Sequence, residues 1–309
     1  MNTKNQTQVT MFVFSGLTDD ETLIPFLFTF FFMIYLVTIV GNIGMMTMVN
    51  FASALQTPMY HFLSCLSLVD LLYSTVTTPK MMSDLVSLRK SISYSGCAAQ
   101  FFFFAALAGT EALLLSSMSY DRYAAICYPL HYISIMTTKK CWSLVAFSFS
   151  CGFLQASLQT SCVFSLEFCG PNVIDQFYCD IPPLMKLSCS KTLSCDFVNI
   201  LVIACFGLYS LMTILVTYML ILSSILRIKS SKGRQKAFIT CSSHIMCSSV
   251  FFLSIFFTYF RSSSGGMTHR DKVASVFYSI VTPMLNPLIY SLRNQEVKKI
   301  ILKVMKKCN

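Results

Sequence analysis

Apolar and polar positions alternate along this chain on a long scale. Seven nearly unbroken apolar stretches run over Leu23–Val49, Pro58–Pro79, Cys97–Tyr120, Cys141–Leu166, Phe197–Leu226, Ala237–Phe260 and Val273–Leu292. A helix needs about 20 apolar residues to cross the hydrocarbon core of a bilayer, and each stretch is long enough. Helix is favoured because every backbone polar group must be satisfied within the lipid. The short alternation of membrane barrel strands is missing. The pattern predicts an all-α membrane protein, a seven-transmembrane helix bundle over 23–292 with a polar tail at 1–22 and a cytoplasmic end at 293–309. That end has its own period. Val297, Ile300, Ile301, Val304 and Met305 recur at helical spacing against Lys298, Lys299, Lys303, Lys306 and Lys307. This predicts a basic amphipathic helix lying on membrane lipids after span seven.

Composition agrees with a membrane protein. The chain is 55% hydrophobic and 12% charged, with mean hydropathy +0.64, whereas soluble domains are about 25% charged. The distribution of Lys and Arg sets the orientation. With the N-terminus extracellular, 14 of them lie on the inner side and 9 on the outer side. Acids cancel the outer excess and leave the inner face strongly positive. The net charge of +10 therefore reads as attraction to an anionic inner leaflet and not as a nucleic-acid interface. Residues 1–22 lack the apolar core of a cleavable signal peptide. Asn5-Gln6-Thr7 in this tail is a glycosylation acceptor.

Charges inside the spans are confined to Asp70 and Glu111. Buried polar groups in a bilayer are costly and mark function, which singles out Asn42, Asp70, Glu111, Asn286 and Tyr290. Two acids sharing one apolar interior favour a bound cation or a shared proton, because two bare charges repel. Pro287 lacks a backbone N–H and gives span seven a pivot. Asp121-Arg122 stands at the inner end of span three, where an ion pair can hold and release a two-state contact. Five of the 14 cysteines, Cys97, Cys169, Cys179, Cys189 and Cys195, fall on the outer side, where oxidation is allowed. Their pairing is open from the sequence alone. No metal box, phosphate loop or nucleophile elbow is present, so the chain does not read as an enzyme. A transporter or channel would carry broken helices or internal repeats, and neither is seen.

Several segments carry a resemblance. Met118 to Cys127 (MSYDRYAAIC) resembles the MAYDRYVAIC signature of vertebrate olfactory receptors, a branch of the rhodopsin-like G-protein-coupled receptors. Leu55 to Leu63 is similar to that family's LHTPMYFFL element, and Phe177 to Leu184 to its outer-loop FFCD-PPL element. Lys236 to His244 is similar to KAFSTCSSH, and Pro283 to Asn294 to PMLNPLIYSLRN. There are departures. Phe251-Phe252-Leu253-Ser254 stands where FYGT is usual, and Lys191 stands where an acid is common.

The resemblance implies an odorant receptor. A small-molecule odorant would bind in the outer half of the bundle. A heterotrimeric G protein, of the stimulatory olfactory type that raises cyclic AMP, would couple on the inner face. The site would be the plasma membrane of sensory cilia. It implies the disulfides Cys97–Cys179 and Cys169–Cys189, with Cys195 free. It implies a sodium site near Asn42, Asp70 and Glu111, and a switch of Asp121, Arg122, Tyr123, Tyr218, His244, Asn286, Pro287 and Tyr290, in which Tyr218 and Tyr290 receive the freed Arg122. The pocket would be walled by Phe104, Ala105, Ala108 and Gly109, by Val202, Ile203 and Phe206, by Phe252, Ile255, Phe256 and Tyr259, and by Ser279. No basic residue is among these walls, so the expected ligand is neutral and mainly apolar, with the Tyr259 hydroxyl as its donor and Arg261 just above.

Overall fold

The computed structural model describes residues 9–18, 20–227, 229–259, 269–293 and 297–300. Seven helices are long and apolar enough to span a membrane: Ile24–Phe51, Pro58–Val86, Tyr94–Cys127, Thr138–Phe164, Leu193–Leu226, Ser231–Thr258 and Asp271–Ser291. They are called spans one to seven. The face bearing the disulfides is called outer, following the distribution of Lys and Arg.

Local chemistry sets several helix starts. Pro58 opens span two, where its missing N–H costs nothing. The Ser93 hydroxyl accepts from Gly96 N at 3.1 Å and caps span three. The Thr137 hydroxyl does the same for Lys140 N at the start of span four. Span two does not stop at Pro79 but continues to Val86. Neighbouring helices can re-satisfy the carbonyl that a proline frees within a membrane, and Lys80 and Asp84 pair one turn apart at the outer end. Span three continues through Asp121 and Arg122 to Cys127, so the ion pair is helical. Span three is the most enclosed of the seven and span one the least. Span four packs closely on span three at Gly152, where a Cβ would lie 2.6 Å from the Ala106 carbonyl oxygen and 2.8 Å from Thr110 N.

Two spans contain π-helical turns, at Ile203–Leu208 in span five and Phe277–Val281 in span seven. The second lies directly before Pro283, whose missing N–H disrupts the regular ladder.

The outer end departs from the all-helical expectation. Met11–Phe14 forms β1, which pairs antiparallel with β2 (Ser91–Ser93) and parallel with β3 (Val173–Ile174). Its alternation is that of a strand with one covered face: Phe12 and Phe14 are buried, Met11 and Val13 exposed. Phe12 meets Phe168 edge-on at 5.4 Å. The sheet thus draws the N-terminal segment, the connection between spans two and three, and the long outer loop into one lid. Lys272 of span seven fastens it, bonding Ser15 Oγ at 2.8 Å, Gly16 O at 3.1 Å and Asp175 Oδ1 at 2.8 Å. Burial pushes the Asp175 carboxyl up, but the bonds from Lys272 and Ser15 outweigh it and hold it below the usual carboxylate range.

Of the predicted surface helix, residues 297–300 are described and helical, with Val297 buried and Lys298 and Lys299 exposed. Asn5, Arg261 and the Tyr259 side chain lie outside the described residues.

Candidate functional site

Three polar or open regions lie along the bundle axis. The outermost is a cavity of about 100 Å³ between spans three, four, five, six and seven under the lid. The lid is held there by a Cys97–Cys179 disulfide (Cα–Cα 5.7 Å) and closed on itself by Cys169–Cys189 (Cα–Cα 5.8 Å). Among the residues the sequence pointed to, Phe104, Ala105, Ala108, Gly109, Ile203, Phe206 and Ile255 line this cavity. Four others do not. Val202 is buried outside the wall, and Phe252 packs against Phe251 at 5.2 Å. Phe256 is half exposed on the lipid-facing side beside Phe257. Ser279 is fully buried and donates to Ser275 O at 2.7 Å. Position in a motif does not fix the rotation of a helix about its own axis, and the π turn of span five alters that rotation locally.

The structure adds wall residues that the motifs did not suggest. Gln155 and Gln159 come from span four, Asp180 and Ile181 from the lid, and Tyr278 from span seven. Gln155 fills the space above Gly109, its Cδ 2.7 Å from where a Cβ would stand, and donates to Ala105 O at 3.0 Å. Gln159 is 4% exposed, and no protein partner for its amide is found among the described residues. The Asp180 carboxylate accepts from Ile181 N at 2.8 Å and Tyr178 OH at 3.1 Å. Phe104 stacks on Tyr73 and touches Tyr178, each with ring centres 4.7 Å apart. Two glutamines at i, i+4 in an apolar span were a legible signal for a polar face.

In the middle of the bundle, Asn286 gathers both acids. Its amide nitrogen donates to Asp70 Oδ1 and Oδ2 at 3.1 and 3.0 Å and to Glu111 Oε1 at 3.3 Å. All three side chains are buried, and Glu111 Oε2 has no partner among the described residues. Asn42 does not join this group. Its amide donates to Thr38 O at 3.0 Å and Pro283 O at 3.1 Å. The reason lies in Pro287, which sits four residues after Pro283 and cannot donate to its carbonyl. Span one supplies the missing donor, and Gly41 lets Pro287 approach, a Cβ there being 3.1 Å from the Pro287 ring. Replacing Asn42 with alanine should leave that carbonyl orphaned at a cost of about 1–3 kcal/mol. A purified Asn42→Ala receptor should melt at a lower temperature, and an unchanged melting point would refute this role.

At the inner end, Arg122 Nε lies 4.0 Å from Asp121 Oδ2, an ion contact too long for a hydrogen bond. Tyr132, in the connection to span four, donates to Asp121 Oδ1 at 2.8 Å. The sequence reading did not include Tyr132. His244 of span six forms a clasp. Its Nε2 bonds the Leu115 carbonyl of span three at 3.0 Å, which makes Nδ1 the acceptor of the Tyr218 hydroxyl at 2.7 Å. Tyr218 is therefore held by His244 in this structure and not by Arg122. Tyr290 is buried in the main core. Tyr123 packs against Ile221, Ile225 and Cys241.

A seven-helix bundle with a disulfide-tied lid over a cavity, a buried acid pair and an acid–arginine pair at the inner end of the third helix defines a rhodopsin-like G-protein-coupled receptor. The solved structure of squid rhodopsin matches this fold with a TM-score of 0.73, over 94% of this chain and 87% of that chain, at 16% identity. A family model described as olfactory receptor matches residues 31–308, and the chain belongs to the olfactory receptor family. Olfactory receptor 5B21 of Mus musculus is 52% identical over 98% of this chain and 95% of its own length. Olfactory receptor 5B12 of Homo sapiens is 49% identical over 98% and 97%. The chain is thus a multi-pass membrane receptor that signals from a small-molecule odorant to a G protein, and it is not an enzyme.

Proposed function

We propose that the ligand is a small, neutral, mainly apolar volatile held in the outer cavity, and that the receptor couples to a stimulatory olfactory-type G protein to raise cyclic AMP in sensory cilia. The observation that carries the ligand class is the cavity wall. Alanine, glycine, isoleucine and phenylalanine dominate it, and the one acid in it, Asp180, is engaged by Tyr178 and a backbone amide. A charged ligand would lose its hydration there without a partner. The Gln159 amide is the polar group best placed to bond a carbonyl or hydroxyl oxygen.

Ligand binding shifts the bundle only through its differential affinity for two arrangements. In the inner half, release of Arg122 from Asp121 and of span six from the His244 clasp would open a cavity for the G protein. Tyr218 and Tyr290 then become partners for Arg122. Asp70 and Glu111 would hold a sodium ion. Their donors are all oxygen, which suits a hard cation, and Glu111 Oε2 has no protein partner among the described residues. The ion would supply positive charge to offset two buried acids. Glycosylation at Asn5 is part of the same reading.

A cyclic-AMP reporter screen of a broad odorant panel in cells expressing this chain tests the function. Gln159→Leu then tests the ligand chemistry. It should raise the half-maximal concentration of a ketone, ester or alcohol agonist by roughly two- to tenfold, the worth of one hydrogen bond at ~0.5–1.5 kcal/mol. A hydrocarbon agonist should be nearly unaffected. Carboxylic acids or amines as the best agonists would overturn the neutral pocket.

A further inference from the structure

Cysteines 162 and 195 are left outside the two lid disulfides. Cys162 lies in the last turn of span four, and Cys195 is the third residue of span five. Cys162 packs against the buried cluster that holds Cys195, and the two thiols lie close enough to act on each other electrostatically. The Asn199 amide donates to Cys195 Sγ at 3.6 Å from one turn further along span five. Cys195 is 2% exposed and belongs to the same buried cluster as Cys97 and Cys179, with Cys162 packed against it as a partly exposed neighbour. The compartment that oxidises Cys97 and Cys179 is therefore the one this pair faces. Cys127 and Cys241, also near each other, lie at the opposite end of the bundle on the reducing side.

We infer that Cys162 and Cys195 form a third disulfide, which staples the outer end of span four to the outer end of span five. The chemistry is thiol–disulfide exchange with a disulfide oxidant of the secretory pathway, such as glutathione disulfide. The partly exposed Cys162 loses its proton and attacks one sulfur of the oxidant, which releases one thiol and leaves a mixed disulfide. The Cys195 thiolate then displaces the second thiol. Two protons leave the cysteines, one S–S bond forms in the receptor, and the oxidant departs as two thiols.

The staple sits beside the ligand cavity. Gln159 is one turn before Cys162, and Ile203 lies two turns after Cys195 in the wall that spans four and five share. No other side-chain hydrogen bond joins these two helices there among the described residues, so the bond would hold this side of the cavity closed. The assignment is independent of the ligand and of the G protein.

Disulfide mapping of the full-length receptor tests it. Membranes from mammalian cells are lysed in N-ethylmaleimide, and the receptor is digested without reduction and analysed by mass spectrometry. A cross-linked Cys162–Cys195 peptide is expected alongside the two lid bridges, with loss of maleimide labelling at both positions. In Cys162→Ser the label should appear at Cys195 while the lid bridges stay intact. Labelling of both cysteines in wild-type receptor whose lid disulfides are formed overturns the inference, as does a bridge from Cys195 to any other cysteine.

Discussion

Arg122→Ala should abolish odorant-evoked cyclic AMP while leaving the receptor at the cell surface. Arg122 sits at the inner end of span three, remote from every residue of the outer cavity, so a ligand held in that cavity would not touch it. Its contact with Asp121 is a single 4.0 Å approach, weak enough to be exchanged for another partner when span six moves. Stability should suffer little. Removing one member of a buried ion pair is costly when the other is orphaned, but Asp121 keeps the Tyr132 hydroxyl at 2.8 Å. The loss should fall on signalling, because the freed guanidinium is what Tyr218 and Tyr290 would receive. The measurement is reporter output at saturating agonist, normalised to surface receptor by antibody staining of intact cells. Full signalling at normal surface density would remove Arg122 from the switch.

The second large effect is expected at the lid. Cys97→Ser or Cys179→Ser should leave the receptor retained inside the cell. Both sulfurs are completely buried, and the bond closes a loop with a sequence separation of 82. Releasing a loop of that size costs roughly 4 kcal/mol on the chain-entropy account, a large share of a typical folding stability of about 5–15 kcal/mol. The loss is also local. Gln100 Oε1 accepts from Cys179 N at 3.0 Å, and Gln176 bonds Ser275 of span seven at 3.0 Å. The bridge and the Gln176 bond together anchor the lid to spans three and seven. Surface staining should fall nearly to background for either variant. Normal surface density, or Cys97 found as a free thiol in signalling receptor, would show the bond to be dispensable.

Much of this architecture was legible in the order of the residues. The seven spans follow from apolar runs, because lipid accepts only segments that satisfy their own backbone, and that constraint acts segment by segment. The special status of Asp70, Glu111 and Asn286 follows as well, since a polar group in hydrocarbon needs a partner wherever it is. The Asp121-Arg122 pair is visible because it interrupts an apolar stretch at its end.

The tertiary structure decided what depends on distant partners or on rotation. Four residues at Met11–Phe14 become a strand only because β2 and β3 pair with them from remote parts of the chain. Asn42 turns away from the acids because Pro287 leaves the Pro283 carbonyl without a donor. Phe256 is turned out of the bundle and Gln159 faces the cavity, a difference of helix rotation that no motif encodes. Tyr132 reaches Asp121 because the inner connection folds back under span three. The sequence by itself therefore determined which segments cross the membrane and which residue types must find partners there. Only the packed bundle decided which partners they found, because close packing fixes helix rotation and approach through many weak contacts acting at once.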